Sequence, residues 1–516
     1  MPSTPSASPA APAAPRLLPE DEANQALAAR VRPPTWQNPV PRGKYDLVVI
    51  GGGTAGLVSA MGAAGLGARV ALVERHLLGG DCLNVGCIPS KAVIRSARAV
   101  GEARRSGRLG VRAGEPSVDF PAVMRRMRER RADIAANDSA ERFTRAGVDV
   151  FFGEGRFADE RTVAVGEARL RFNRAVIATG GRPSAPSVPG LAGLPFLTNE
   201  TIFSLTELPR RLLVVGAGPI GCELAQAFAR LGSRVTLFDM APRVLPREDA
   251  DVGALVERHL AGDGVTLALG VSLDQVEMSA GVFRVRAREH ARPVEGPTTH
   301  EGEAVLVAAG RRPNIEGLDL DAAGVAATRD GIVVDDRLRT SNRRVFASGD
   351  VASAYKFTHA ADALSRIVLQ NALFYGRRRA SALIIPWVTY TDPELAHVGA
   401  TTADVERSGG RLRTITVPLS EVDRAIVDDE SDGFVRVHHE RGVLRGGTIV
   451  ARHAGEMVGE LAYAMTYGGT LSRLSGVVHP YPTQAEALRK AGDVYRRQSL
   501  TPGVRRWFER YFRWTR

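Results

Sequence analysis

Short, nearly unbroken apolar runs punctuate the first half of the chain. Tyr45 to Ile50 (YDLVVI) is one such run, as expected of a parallel strand covered on both faces. A glycine-rich loop and an apolar segment of helical length separate it from a second run, Val70 to Val73, which ends at Glu74. The same order returns later. Leu212 to Val215 leads into a second glycine-rich loop, a helical segment, and the run Val235 to Phe238 ending at Asp239. The pattern predicts two strand–helix–strand units. The first 43 residues show no such pattern. Met1 to Pro15 is almost wholly Ala, Pro and Ser, and Pro33, Pro34, Pro39 and Pro41 follow. This stretch is expected to be a disordered tail, because it carries too little apolar surface to offset its ordering entropy. It lacks the charged start and apolar centre of a secretory signal. No run of 18 or more apolar residues occurs, so no membrane-spanning helix is expected.

Both loops have GxGxxG spacing. In Gly51-Gly52-Gly53-Thr54-Ala55-Gly56, Gly51 allows the tight turn, Gly53 lets a pyrophosphate approach the backbone, and Gly56 lets helix and strand pack closely. The N-terminus of the following helix faces the phosphates, and Glu74 is placed for ribose hydroxyls. The second loop is Gly216-Ala217-Gly218-Pro219-Ile220-Gly221, with Asp239 as its acid. From first glycine to acid is 23 residues in both units. One such loop is a weak signal. Two with strand, helix and acid in register point to two bound dinucleotides and an electron relay between them. Asp239 hydrogen-bonds a free ribose 2′-hydroxyl and repels a 2′-phosphate, which favours NADH. Arg243 can offset that repulsion, so NADPH stays open.

The chain has 516 residues and 44% hydrophobic content, enough for several domains with large cores. Its formal charge of +11 raises nucleic-acid binding. However, only four of the basic residues are lysines (Lys44, Lys91, Lys356, Lys490), and the arginines are scattered. The densest run, Arg125 to Arg131, is expected to be the solvated face of a helix. No nucleic-acid partner is expected. Three cysteines are too few for a disulfide-stapled secreted protein. The cytoplasm is the expected compartment.

Two of those cysteines are close together, in Gly79-Gly80-Asp81-Cys82-Leu83-Asn84-Val85-Gly86-Cys87-Ile88-Pro89-Ser90-Lys91. A structural disulfide and half of a metal site are the alternatives to redox chemistry. No further Cys or His lies nearby, so no resident metal is expected. Cys87 is expected at the start of a helix, where the N-terminus favours a thiolate, and Lys91 adds positive charge one turn on.

This segment resembles the redox motif of the pyridine nucleotide-disulfide oxidoreductases, the family of dihydrolipoamide dehydrogenase, glutathione reductase and mercuric reductase. The resemblance covers roughly residues 44 to 495. Gly153-Glu154-Gly155 resembles the family's flavin-adenine loop. Ala178-Thr179-Gly180-Gly181-Arg182-Pro183 and Ala309-Gly310-Arg311-Arg312-Pro313-Asn314 resemble its two crossovers between domains. Phe346-Ala347-Ser348-Gly349-Asp350 resembles its second flavin motif, and Thr389-Tyr390-Thr391-Asp392-Pro393-Glu394 resembles the opening of its dimerisation domain.

The resemblance implies an α/β fold with two Rossmann-like domains, for FAD and NAD(P), and an α+β dimerisation domain. The expected divisions are a tail to 43, FAD domain 44–195, NAD(P) domain 196–315, FAD domain resumed 316–383, interface domain 384–495 and a basic aromatic helix 496–516. It implies FAD contacts from Gly51, Gly53, Thr54, Ala55, Gly56, Glu74, Gly80, Asp81, Lys91, Gly155, Thr179, Gly180, Gly349, Asp350, His359 and Ala360. Gly216, Gly218, Pro219, Ile220, Gly221, Asp239 and Gly310 would hold NAD(P). It also implies a homodimer with a shared active site. Electrons would pass from nicotinamide to flavin and then to the Cys82–Cys87 disulfide. Cys87 would face the flavin and Cys82 the acceptor, with Lys91 and Glu223 as an ion pair beside the flavin. Cys222 is expected to be a buried helix cysteine.

The C-terminal segment departs from the disulfide reductases. They carry His-Pro-Thr-x-x-Glu, in which the Glu holds the His as base for the interchange thiol. Here Pro482, Thr483 and Glu486 align, and Tyr481 occupies the base position. A phenol, with an ordinary pKa of about 10, is a poor base near neutrality. His479 would serve only if the backbone turned it inward. Tyrosine here resembles mercuric reductase, yet the chain lacks that enzyme's C-terminal cysteine pair and N-terminal CxxC module. The expected acceptor is a soft metal ion such as Hg(II), or another thiol-reactive small molecule. A disulfide reductase and a low-turnover flavin sensor are the alternatives. Asp81, where relatives usually have Thr, is expected to raise the Cys82 pKa. Finally, Trp507, Phe508, Tyr511 and Phe512 recur at helical spacing among arginines. Such a helix is expected to dock on the protein's own surface, with peripheral membrane contact as the alternative.

Overall fold

The computed structural model describes residues 15–112, 114–291, 296–498 and 500–516. The first apolar run forms β1 (Lys44–Ile50), followed by α2 (Thr54–Gly65), β2 (Val70–Glu74), β3 (Val148–Phe152), β4 (Gly155–Asp159), β5 (Thr162–Val165) and β6 (Ala168–Ile177). Their sheet runs β3-β2-β1-β6-β5-β4, and the strand Val345–Ala347 also pairs with β6. The β1–β2, β1–β6 and β2–β3 pairs are parallel, as is Val345–Ala347 against β6. Pairing of this kind needs apolar residues on both faces. Leu47 and Val49 enter one core cluster, and Val48 and Ile50 enter the other, all at most 3% exposed.

The second unit has strands Arg211–Val215 and Arg234–Asp239, with helix Pro219–Leu231 between them in sequence. Its sheet has the order Thr266–Leu269, Arg234–Asp239, Arg211–Val215, Ala304–Val307. The two crossovers pair as short antiparallel strands, Gly181–Pro183 with Arg311–Pro313. The C-terminal domain is a five-stranded antiparallel sheet, in the order Pro386–Thr389, Glu394–Gly399, Val443–Ala451, Phe434–Glu440, Arg413–Pro418. Helices Ala454–Thr466 and Glu486–Gln498 bury Leu461 and Leu488 in its core. The fold is thus two Rossmann-like α/β domains and an α+β C-terminal domain. By compactness the chain falls into two units, one holding the flavin-type fold (1–216, 227–236, 272–383) and one holding the C-terminal domain (217–226, 237–271, 384–516).

Three expectations need correction. Of the tail expected over 1–43, residues 1–14 lie outside the described residues, and the rest is not disordered: α1 (Glu22–Val31) is a helix whose Leu27 and Val31 are fully buried. Asp21 caps it by accepting the Asn24 N–H at 2.9 Å. Arg32 donates to the carbonyls of Arg75 and His76, and Asn38 exchanges two hydrogen bonds with the Phe152 backbone. Nor is the Arg125–Arg131 run simply a solvated face. Arg128 and Arg131 are buried, where Arg128 pairs with Asp21 and Arg131 donates to Asn24. Lastly, the terminal helix Pro502–Thr515, expected to dock on the protein's own surface, buries none of its residues.

Candidate active site

The loop between β1 and α2 is shaped by close backbone approach. Gly51 has φ +107°, and a Cβ there would collide with the Ala178 carbonyl. A Cβ on Gly56 would strike the Gly51 carbonyl, and one on Gly80 would sit 2.6 Å from the Gly53 Cα. Glycines at 51, 53, 56 and 80 therefore leave bare backbone at the head of α2, where Thr54 and Ala55 form the first turn. Such a cradle fits a pyrophosphate. Glu74 is buried, and its carboxylate accepts the Gly52 N–H at 2.6 Å and the His76 N–H at 2.5 Å. Burial pushes its pKa up, partly offset by those two donors.

Cys82 lies in α3 (Gly80–Asn84) and Cys87 opens α4 (Cys87–Arg105). Both are free thiols; Cys82 is half-buried and Cys87 exposed. The hydrogen bond with Cys87, together with burial, holds the Cys82 thiol well above the ordinary range. Asp138 adds to this and Thr358 opposes it. The neighbouring Asp81 carboxylate pairs with Arg311. Cys87 Sγ lies 3.4 Å from the Thr358 hydroxyl, at the head of helix Thr358–Leu373, whose first turn also carries His359 and Ala360. Lys91 sits half-buried one turn into α4.

Arg311 connects the rest of this region. It pairs with Asp81, lies 3.6 Å from Asp350, and donates to the Gly181 carbonyl. Burial pulls this guanidinium down, but Asp81, Asp350 and Glu200 more than offset it, leaving its pKa raised. Asp350 follows Gly349 in a short 3₁₀ turn, and burial raises its carboxyl against the pull of Arg311 and Lys356. Thr179 Oγ1 donates to the Asn314 carbonyl at 2.6 Å, and the Asn314 N–H bonds the Gly180 carbonyl. Gly155 begins β4 against Val73 and Ile50. Thr358 and Glu200 belong to none of the motifs legible in the sequence, and Arg311 enters there only as part of the second crossover.

In the nicotinamide fold, Gly216 repeats the Gly51 turn, with φ +107° and its Cβ direction 2.7 Å from the Ala308 carbonyl. Gly218 is open, Pro219 starts the helix, Ile220 is exposed and Gly221 buried. Asp239 accepts the Ala217 N–H at 2.6 Å and the Ala241 N–H at 2.8 Å. Arg243 donates to the carbonyls of Pro246 and Glu248. Gly310 has open space where a side chain would be. The bare backbone of Gly218, beside an Ala217 N–H held by the Asp239 carboxylate, again fits a dinucleotide. Glu223 accepts the Tyr390 N–H at 2.9 Å. Cys222 is fully buried, as expected.

On the C-terminal domain the aligned motif is arranged differently from a His–Glu base. Tyr481 is 71% exposed and its hydroxyl donates to Asp423 at 2.9 Å. That hydrogen bond pushes the phenol above its ordinary pKa. His479 Nε2 meets Glu460 at 3.1 Å and its Nδ1 the Val477 carbonyl. Glu486 is buried and held by Arg489, not by a histidine. Among the described residues no group of three or more His, Cys, Asp or Glu is placed to hold a metal ion.

Comparison with known proteins adds to this geometry. The family model for pyridine nucleotide-disulphide oxidoreductase matches residues 45–364, and the model for that family's dimerisation domain matches 385–492. A mercuric reductase from Lysinibacillus sphaericus is 33% identical over 450 residues, covering 87% of this chain and 82% of the relative. Dihydrolipoyl dehydrogenase 2 from Haloarcula marismortui is 35% identical over 468 residues, covering 88% and 97%. Among solved structures, the Cu(II) complex of the HOCl-induced flavoprotein disulfide reductase RclA from Escherichia coli has a TM-score of 0.77 at 27% identity, covering 88% of this chain and all of that one.

Proposed function

The chain belongs to the pyridine nucleotide-disulphide oxidoreductase family and is an FAD- and NAD(P)H-dependent oxidoreductase; from that premise we propose that it delivers electrons through Cys87 and Cys82 to a thiophilic metal ion or comparable soft electrophile. Bound FAD would supply two-electron transfer from nicotinamide to the cysteine pair. Two electrons open the Cys82–Cys87 bond and leave one thiolate and one thiol. Cys87 is the thiolate side, since it starts α4 and contacts Thr358 beside the proposed flavin residues His359 and Ala360. Cys82 keeps the proton, because burial and Cys87 hold its pKa high.

The carrying observation is Tyr481 bound to Asp423 where a histidine base would stand. Disulfide interchange needs a thiolate, so a thiol that keeps its proton requires a base. A soft cation displaces the proton itself. The relatives named mercuric reductase and the Cu(II) complex of a similar flavoprotein support this acceptor class. Asp239, with Arg243 turned to carbonyls, favours NADH over NADPH. The C-terminal domain's type supports a homodimer in which Tyr481 of one subunit serves the cysteines of the other.

The test is anaerobic reduction with NADH or NADPH, followed by Hg(II), Cu(II), lipoamide, glutathione disulfide and quinones. Reoxidation by the metal ions, and thiolate-to-flavin long-wavelength absorption present in Cys82→Ser but absent in Cys87→Ser, are expected. Rapid turnover of lipoamide or glutathione disulfide with no metal-dependent reoxidation would instead make it a disulfide reductase.

A further inference from the structure

The terminal helix Pro502–Thr515 has a feature that electron transfer does not use. Thr501 caps it, accepting the Val504 N–H, and Pro502 occupies its first turn. At 3.6 residues per turn, Val504, Trp507, Phe508, Tyr511, Phe512 and Trp514 fall within an arc of about 160°. The opposite arc holds Arg505, Arg506, Arg510, Arg513 and Arg516, with Glu509 as the only acid of the helix. Beyond the first turn no apolar residue intrudes on the charged side, and no charge on the apolar side.

A helix so divided ordinarily buries its apolar stripe, yet here none of its residues is buried. Trp507 is 61% exposed, Phe512 53% and Trp514 84%. The rings nevertheless form one continuous surface: Trp507 stacks on Tyr511 at 5.9 Å and Phe508 on Phe512 at 6.3 Å. An aromatic stripe bordered by arginine is suited to the boundary between lipid headgroups and acyl chains.

We propose that this helix is an interfacial anchor that lays the protein on an anionic phospholipid surface. Charge decides between that surface and a second copy of the chain. Two such helices face to face would set arginine rows beside arginine rows, and the chain as a whole carries +11. An anionic bilayer complements those rows and covers the rings. Among the described residues no helix is long and apolar enough to cross a membrane, so the contact proposed lies in the plane of the interface.

The test uses the full-length flavin-loaded protein with vesicles of mixed phosphatidylglycerol and phosphatidylcholine, and with phosphatidylcholine alone. Binding to the anionic vesicles about tenfold or more above the neutral ones is expected, weakening with salt, together with a blue shift of tryptophan emission. Phe508→Ser/Phe512→Ser should abolish binding and Arg510→Ser/Arg513→Ser should weaken it about tenfold. These side chains support no core, so reduction by NADH should be unchanged in every variant. Equal binding to both vesicle types, or anionic binding that survives the Phe pair, overturns the proposal. So does a drop in oligomeric state, without lipid, in protein ending at Gln498, which would assign the stripe to a second copy.

Discussion

Asp81 and Arg311, 230 residues apart in sequence, form an ion pair next to Cys82, and Arg311 also faces Asp350 at 3.6 Å. One cation thus stands between two carboxylates in a half-buried region. Arg311→Met removes the cation and leaves both acids without it, so bound flavin per protein, read from its absorbance, should fall about tenfold or more. Asp81→Ser leaves Arg311 with Asp350 and should keep flavin within about threefold. The double variant should recover part of the Arg311→Met loss. A double variant as poor as the single one would mean that Arg311 does not act through Asp81.

Tyr481 offers a separate handle on the acceptor side. Its raised pKa keeps the phenol protonated throughout the neutral range, so this residue should give the rate–pH profile no limb between about pH 6 and 9. Tyr481→His should introduce one near pH 6.5 and accelerate disulfide acceptors, while flavin reduction by NADH stays the same. His479→Gln should change acceptor turnover by less than about threefold, since His479 is committed to Glu460.

Leu27 tests the N-terminal segment. It is fully buried against the flavin-type domain, and Leu27→Ala should destabilise that domain by about 2–5 kcal/mol, measured by urea unfolding of the holoenzyme. A change below about 0.5 kcal/mol would mean that α1 is peripheral.

His438 sets an acid limit. Burial lowers its pKa to about 4, against an ordinary 6.5. The unfolded chain therefore binds a proton that the folded one refuses, and stability is full above pH 6.5 and lost as pH falls toward 4. The loss is on the order of 3 kcal/mol. Melting temperatures at pH 7.5 and 5 should differ more for wild type than for His438→Leu.

The sequence reveals what adjacency encodes. The two glycine loops, their acids and the Cys82–Cys87 spacing are local, so chain order alone points to them. The Arg311–Asp81 and Thr358–Cys87 contacts join residues more than 200 positions apart, and no local pattern announces them. The buried arginines had a signal that charge obscured: Met124, Met127, Arg128 and Arg131 form one helical stripe, all buried. The N-terminal helix had its own, Asp21 as cap with Leu27 and Val31 four apart, submerged in Ala- and Pro-rich composition.

Cys222 has a practical consequence for the other two cysteines. Its sulfur is sealed in the nicotinamide fold against the Ala217 carbonyl, and burial raises its thiol pKa. A thiol reagent added to native protein should therefore count only the redox pair: none when oxidised, two when reduced. Denaturant should add one in either state. The three sulfurs turn a colorimetric titration into a meter of the enzyme's redox state that carries its own internal standard.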